Sequence, residues 1–403
     1  MVGKILIVDD VAANRIVMKV KLTAAGYLPL LAHDGAACLS MARADRPDLV
    51  LLDLALPDQS GIEVLSALRG DPATRSIPVV IFSACRDAPA RAAAFRAGAD
   101  AFISKPVDDQ TLLARIRSFL RAQEDSGSHG GMALLGLSEA AASFEGPAKP
   151  VPARIAIVTE RPETAMMLRR DLAPHCADLL VPMSPVEALA EGLKTEGAPD
   201  LFLIEADLSA SGSGLRLMSD LRSRSATRNA AFCLHVGAAA VGAMAVAFDL
   251  GAHDLVTPAV PPQEIALRLS RLLARKREGD RMRASVQDGL RLAVIDPLTG
   301  LHNRRYGVAQ LAAICEAARQ RQTGFAVMVV DLDRFKSVND RWGHAAGDDV
   351  LVEVANRLSR NLRSGDLLAR IGGEEFLIAL PDTGLAEAQG VAERLCRAVA
   401  DTP

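Results

Sequence analysis

Residues 370–380 read Arg370-Ile371-Gly372-Gly373-Glu374-Glu375-Phe376-Leu377-Ile378-Ala379-Leu380. An apolar run leaving a Gly-Gly turn, with two acids between, predicts the tip and second strand of a β-hairpin. Glycines leave the main chain bare, so a polyphosphate and its cation can lie against Gly372 and Gly373 while Glu374 or Glu375 offers a hard oxygen. Upstream, Phe325 to Val330 is another apolar run and ends in Asp331-Leu332-Asp333. That places carboxylates at the C-terminal end of a strand, where open α/β sheets take their ligands. Lys336, Asn339, Asp340 and Asp348 follow closely.

The segments DLDRFKSVNDRWGHAAGDDVL and RIGGEEF, with the lead-in DPLTGLHNRR, resemble the GGDEF family of diguanylate cyclases in its GGEEF form, over residues 296–403. The resemblance implies an α/β, nucleotidyl-cyclase-like domain that joins two GTP molecules into cyclic di-GMP and releases two pyrophosphates. Each domain then holds one GTP, and a homodimer sets two domains face to face. By the same resemblance Asp331, the Leu332 carbonyl and Glu374 hold Mg²⁺ or Mn²⁺, and Lys336 contacts the triphosphate. Glu375 is a second candidate for metal binding or for deprotonating the attacking hydroxyl, and the sequence leaves the two roles open. Phe335 is expected to line the pocket, and Asn339 and Asp348 to read guanine. Arg363 and Asp366 form an RxxD at the family's product-inhibition spacing, with Arg394 as an accessory; a surface ion pair is the ordinary reading of such a pair.

Domains of this family continue through a further strand and a last helix bearing Lys and Arg, whereas this sequence stops at Pro403. The expectation is therefore a GGDEF domain whose C-terminal part is missing. The alternative function is a non-catalytic regulator that binds GTP or cyclic di-GMP.

At 403 residues, 50% hydrophobic and 24% charged, the chain has material for two or three separate cores. A net charge of −3 gives no global field toward nucleic acid or a membrane surface. The six cysteines are scattered without metal spacing, which fits reduced thiols and a cytoplasmic protein. MVGKILIVDD opens as a strand, not as a basic and apolar leader, and the uncharged stretch 229–248 divides into a short strand and a helix, so no membrane span is expected.

Residues 1–123 alternate short apolar runs with helical periodicity: ILIVDD, NRIVMKVKLTAAG, DLVLLDLALP, PVVIFSA and AFISKP. This predicts a doubly wound parallel sheet. Asp9, Asp10 and Asp53 all end strands on one edge, where three carboxylates converge and repel unless a divalent cation sits among them. The constellation resembles the flavodoxin-like receiver domains of bacterial response regulators. By that resemblance Asp53 accepts a phosphoryl group from a histidine kinase or phosphotransfer protein, and Asp9, Asp10 and Asp53 hold Mg²⁺. Lys105 balances the phosphoryl charge, and Ser83 and Phe102 form the switch. Lys105-Pro106 is a candidate cis peptide.

Residues 124–152 have linker composition, with a short helix conceivable over 132–144. An internal repeat then returns at an offset of about 150. ARIAIVTE answers KILIVDD, APDLFLIEADLSASGSG answers RPDLVLLDLALPDQSG, and GAHDLVTP answers GADAFISKP. Thr159 and Glu160 replace the acid pair, Glu205 the acceptor, His235 the serine and Pro258 the lysine. Residues 153–277 are thus expected to be a degenerate receiver, never phosphorylated, that serves as an adaptor. From Pro262 a long helix runs to Asp296-Pro297, its pattern interrupted near Gly279, with 278–295 as the connecting part. Its basic residues alternate with acidic and apolar ones, as on a solvated helix face. The order receiver, degenerate receiver, GGEEF domain resembles response regulators with diguanylate cyclase output.

Overall fold

The apolar runs of the first 123 residues become strands buried on both faces. In the computed structural model, which describes residues 3–85, 87–127, 152–193, 197–208, 213–237 and 244–400, the expected helix over 132–144 and most of the linker lie outside the described residues. The described chain forms two compact units, divided between Arg283 and Ala284.

The first unit opens with β1 (Lys4–Val8), α1 (Ala12–Ala24), β2 (Leu28–Ala32), α2 (Gly35–Asp45), β3 (Leu49–Leu52), α3 (Gly61–Gly70), β4 (Val79–Ser83), α4 (Ala88–Arg96), β5 (Ala101–Ser104) and α5 (Asp109–Gly127). Its sheet is all parallel in the order β2-β1-β3-β4-β5. One apolar layer packs α2, α3 and α4 on Leu6, Val50, Leu52 and Ile81; the other packs α1 and α5 on Ile5, Ile7, Leu49 and Leu51. Alternate residues of each strand feed opposite layers, which is why the strands read as unbroken apolar runs.

The repeat follows as β6 (Arg154–Val158), α6 (Pro162–Leu172), β7 (Leu179–Met183), α7 (Pro185–Glu191), β8 (Leu201–Glu205), α8 (Gly214–Ser223), β9 (Ala231–His235), α9 (Met244–Asp249), β10 (Asp254–Val256) and α10 (Pro262–Val294). Its sheet order, β10-β9-β8-β6-β7, is the first one again. The correspondence reaches single atoms. A Cβ on Gly61 would lie 2.3 Å from the Asp53 carbonyl, and one on Gly214 would lie 2.3 Å from the Glu205 carbonyl. In both repeats only glycine lets the helix start this close to the strand end. Thr74 and Thr227 likewise donate their hydroxyls to Leu68 and Leu221.

Within this unit α4 and α5 pack against α9, β10 and the first part of α10. Arg115 donates to Asp254 at 2.7 Å and lies over the rings of Phe119 and Phe248. Arg121 donates to the carbonyls of Phe248 and Asp249, which close α9. Leu267 of α10 joins the apolar layer of the first sheet. The break expected near Gly279 does not occur: α10 is one 33-residue helix through that position. An interior glycine costs only about 1 kcal/mol against alanine, which flanking helix formers outweigh. The boundary expected at 277/278 therefore falls inside a helix.

The second unit contains β11 (His302–Asn303), α11 (Arg304–Arg321), β12 (Phe325–Asp331), α12 (Phe335–Trp342), α13 (His344–Arg360), β13 (Leu367–Arg370), β14 (Glu375–Pro381) and α14 (Leu385–Ala400). The sheet runs β11-β13-β14-β12, with β14 antiparallel to both of its neighbours. Phe376, Ile378 and Leu380 bury one face against Phe335, Leu351, Val354, Leu358 and Leu395. The expected hairpin is present as β13 and β14. Among the described residues no helix is long and apolar enough to cross a membrane.

Candidate functional site

The hairpin turn is built by its own ladder and by one arginine. Ile371 N–H donates to the Glu375 carbonyl at 2.9 Å, closing the turn. Arg370 Nε and Nη2 donate to the Gly373 carbonyl at 3.2 and 2.7 Å, and its Nη1 donates to Asp296 Oδ1 at 3.1 Å. A Cβ on Gly372 would stand 2.3 Å from Glu375 Oε2, so that carboxylate folds back over bare main chain. The carboxylate uses the room the glycine leaves, as the far end of a flexible side chain that could also swing away.

The antiparallel register sets Asp331 directly opposite Glu375. Opposite residues share a face of the sheet, so these carboxylates project together while Glu374, one position earlier, belongs to the turn. Glu375 and Asp331 are exposed, and Glu374 is half-buried. The Leu332 carbonyl accepts from Phe335 N–H at 3.3 Å, which starts α12 from Arg334 in the left-handed region. A carbonyl has a second lone pair, so this bond leaves Leu332 able to serve a cation. No three His, Cys, Asp or Glu side chains gather as a metal cage among the described residues. Two hard carboxylates and a carbonyl fit Mg²⁺, which keeps waters and phosphate oxygens for its remaining positions.

Phe335 is a core residue, packed with Leu351 and Val354 beneath the site. It does not present an open wall as expected, because the first turn of α12 points its apolar positions inward. Lys336 and Asp348 are exposed. Asn339 Oδ1 nests against Gly347, where a Cβ would come within 2.0 Å. Gly347, a residue the sequence pattern did not single out, thus leaves room for the Asn339 side chain between α12 and α13. Arg363 is paired with Asp366, donating from Nε at 2.8 Å, and its Nη2 holds the Pro381 carbonyl and Thr383 Oγ1. Arg394 donates to the Asn361 carbonyl at the foot of the same loop.

The other site lies on the first sheet. Lys105 Nζ donates to Asp53 Oδ2 at 2.7 Å and to Asp9 Oδ2 at 2.6 Å, and Ser83 Oγ donates to Asp53 Oδ1 at 2.7 Å. Burial opposes the Lys105 charge, yet the bonds to Asp53 and Asp9 outweigh it and raise the ammonium above its ordinary pKa. Phe102 is buried and the Lys105-Pro106 peptide is cis. The expected convergence of three carboxylates is not found: Asp10 is exposed, and one ammonium lies between the remaining two. That charge removes the repulsion from which a three-acid cluster was inferred. Asn14 and Arg15 were missed. Asn14 donates to both Asp9 oxygens, and Arg15 to the main-chain carbonyls of Asp9 and Asp10.

In the second repeat Thr159 turns its hydroxyl to the Arg161 carbonyl, and the Glu205 carboxylate accepts a long bond, 3.3 Å, from Glu160 N–H. Burial lowers the His235 pKa against the pull of Glu205 and Asp207. Pro258 supplies no ammonium here.

Two family descriptions match the chain: response regulator receiver domain over residues 5–117, and diguanylate cyclase, GGDEF domain over residues 293–403. Response regulator PleD of Caulobacter vibrioides is 37% identical over 412 aligned residues, covering 100% of this chain and 88% of that protein. Diguanylate cyclase DgcP of Pseudomonas aeruginosa is 39% identical over 147 residues, or 35% of this chain and 22% of the relative. Probable diguanylate cyclase DgcT of Escherichia coli is 44% identical over 100 residues, covering 25% of this chain and 22% of its own.

Proposed function

This chain belongs to the PleD family of response regulators with a diguanylate cyclase GGDEF domain, and from that premise we propose a cyclase switched on by phosphorylation of Asp53 and throttled by its own product. The observation that carries the reading of the output site is Asp331 standing opposite Glu375 beside the glycine tip. Lys336 draws in the triphosphate, and Asn339 with Asp348 accepts and donates along the guanine edge, a pattern adenine cannot complete. Asp331, the Leu332 carbonyl and Glu374 would hold a divalent cation, whose charge would offset that of the phosphates.

The 3′-oxygen of one nucleotide then bonds to the α-phosphorus of the other, and the bond from that phosphorus to the bridging oxygen breaks. Pyrophosphate leaves with the bonding electrons. A carboxylate at the tip, Glu374 or Glu375, takes the hydroxyl proton. Two domains facing each other perform this twice and close the ring.

Upstream, a phosphoryl group on Asp53 places new acceptors before Ser83 and Lys105. Ser83 and Phe102 move with it, and α4 and α5 pass the change to the second receiver, which lacks phosphoacceptor chemistry and acts as the adaptor for pairing two copies. Product guanine or phosphate competes with Asp366 for the Arg363 fork and holds the domain idle.

Product analysis tests this. The chain, with Mg²⁺ and acetyl phosphate, is expected to convert GTP into a cyclic dinucleotide and two equivalents of pyrophosphate, leaving ATP untouched. Tight GTP binding without pyrophosphate release would replace the cyclase by a nucleotide-binding regulator.

A further inference from the structure

The Gly-Gly tip has little of its own to hold it. Two glycines carry the largest backbone entropy of any pair, and Glu374 hangs directly from them. The ladder secures the base of the turn through Ile371 and Gly372 N–H, at 2.9 and 3.4 Å from the Glu375 carbonyl. Beyond that base, the bonds that reach the tip come from Arg370, whose planar fork spends two N–H groups on the Gly373 carbonyl. Its third bond goes to Asp296, and both side chains are mostly withdrawn from water, at 14% and 19% exposure.

Asp296 is itself anchored. Its Oδ1 accepts from Thr299 N–H at 2.9 Å and Thr299 Oγ1 at 2.7 Å, and its own N–H donates to the Leu301 carbonyl. Asn303 of β11 then pairs in register with Arg370 of β13. Loop 296–301, β11 and Arg370 are therefore bonded to one another, and the loop begins two residues after the end of α10. Lysine, a single ammonium, cannot span Gly373 and Asp296 together as the guanidinium does.

We propose that Arg370, braced by Asp296, is a positioning residue that fixes the Gly373 carbonyl and thereby the direction of Glu374, and that tip order depends on the seating of the segment leaving α10. The role in turnover rests on the cyclase reading above. The brace itself does not.

Full-length chain and its Arg370→Met, Arg370→Lys and Asp296→Asn variants are compared by hydrogen exchange and by GTP kinetics. In Arg370→Met, which removes all three Arg370 hydrogen bonds, exchange of the Ile371–Gly372 amides is expected to accelerate at least about tenfold, the effect of losing one such charge-assisted bond, while β14 amides keep their protection. The kcat falls about 10²-fold with a smaller change in KM, as for a misplaced reacting group. Arg370→Lys, which keeps charge and fold, falls between, and Asp296→Asn shifts both readings in the same direction.

Unchanged exchange in Arg370→Met overturns the brace. Faster exchange with unaltered kcat overturns the positioning role. If the parent chain makes no cyclic product, the cyclase reading fails, and the exchange measurement still decides the brace.

Discussion

His253, half-buried just before β10, accepts at Nδ1 from Phe232 N–H at 3.0 Å and stacks its ring on Phe232. Burial, reinforced by Arg222, Arg275 and Arg115 and opposed by Asp254, lowers its pKa from 6.5 to about 3. The folded chain therefore keeps this imidazole neutral where the unfolded chain protonates it. Between those two values the unfolded state binds more protons, so stability falls as pH drops below 6.5. Urea unfolding of the first unit should show a loss at pH 5.5 of about 1.4 kcal/mol that His253→Gln does not share. Parallel pH curves for the two chains would contradict this. The sequence disclosed the acids, the serine and the lysine at strand ends because strand period and chemistry coincide there. It could not disclose Asn14, Gly347 or the Arg370–Asp296 pair, whose roles arise from side chains that meet only after distant elements pack.

Among elements, the two sheets and the hairpin were legible, since unbroken apolar runs ending in polar residues leave one way to bury both faces. Helix α10 was less so, because its basic residues read as a solvated face. Several of them are internal instead. Arg271 donates to Asp100 at 2.8 Å, and Arg69 holds the other oxygen of that carboxylate at 2.7 Å. Burial would raise the Asp100 pKa, but Arg275, Arg271 and Arg69 reverse the direction. Asp100 immediately precedes β5, which carries Phe102 and leads to Lys105, so α10 is bonded to the start of the strand that brings Lys105 to Asp53. Arg271→Ala is expected to destabilise the first unit by about 1–3 kcal/mol, the cost of one charged bond to a buried carboxylate that keeps a second partner. A double-mutant cycle with Asp100→Asn reads the coupling. A coupling near zero would mean that the bond contributes nothing to how α10 is held.

For the whole molecule, the proposed function links a phosphoacceptor on the first sheet, a second copy of that scaffold and one half of a two-nucleotide site in a sequence of dependence. On the proposed reading, half a site cannot close a cyclic dinucleotide alone, so turnover is expected to depend on two copies meeting. The second repeat fits that proposal: it keeps the packing surface used by α4 and α5, and carries Thr159, Glu160, Glu205 and Pro258 where the first has Asp9, Asp10, Asp53 and Lys105. The most direct measurement is the initial rate of cyclic di-GMP formation across a dilution series of the chain, with and without acetyl phosphate, beside Asp53→Asn. The expected result is a specific rate that rises with protein concentration and reaches its plateau at lower concentration when the phosphate donor is present, with Asp53→Asn indifferent to the donor. A specific rate independent of concentration, or an equal response of Asp53→Asn to the donor, would contradict control of the cyclase through Asp53-driven pairing.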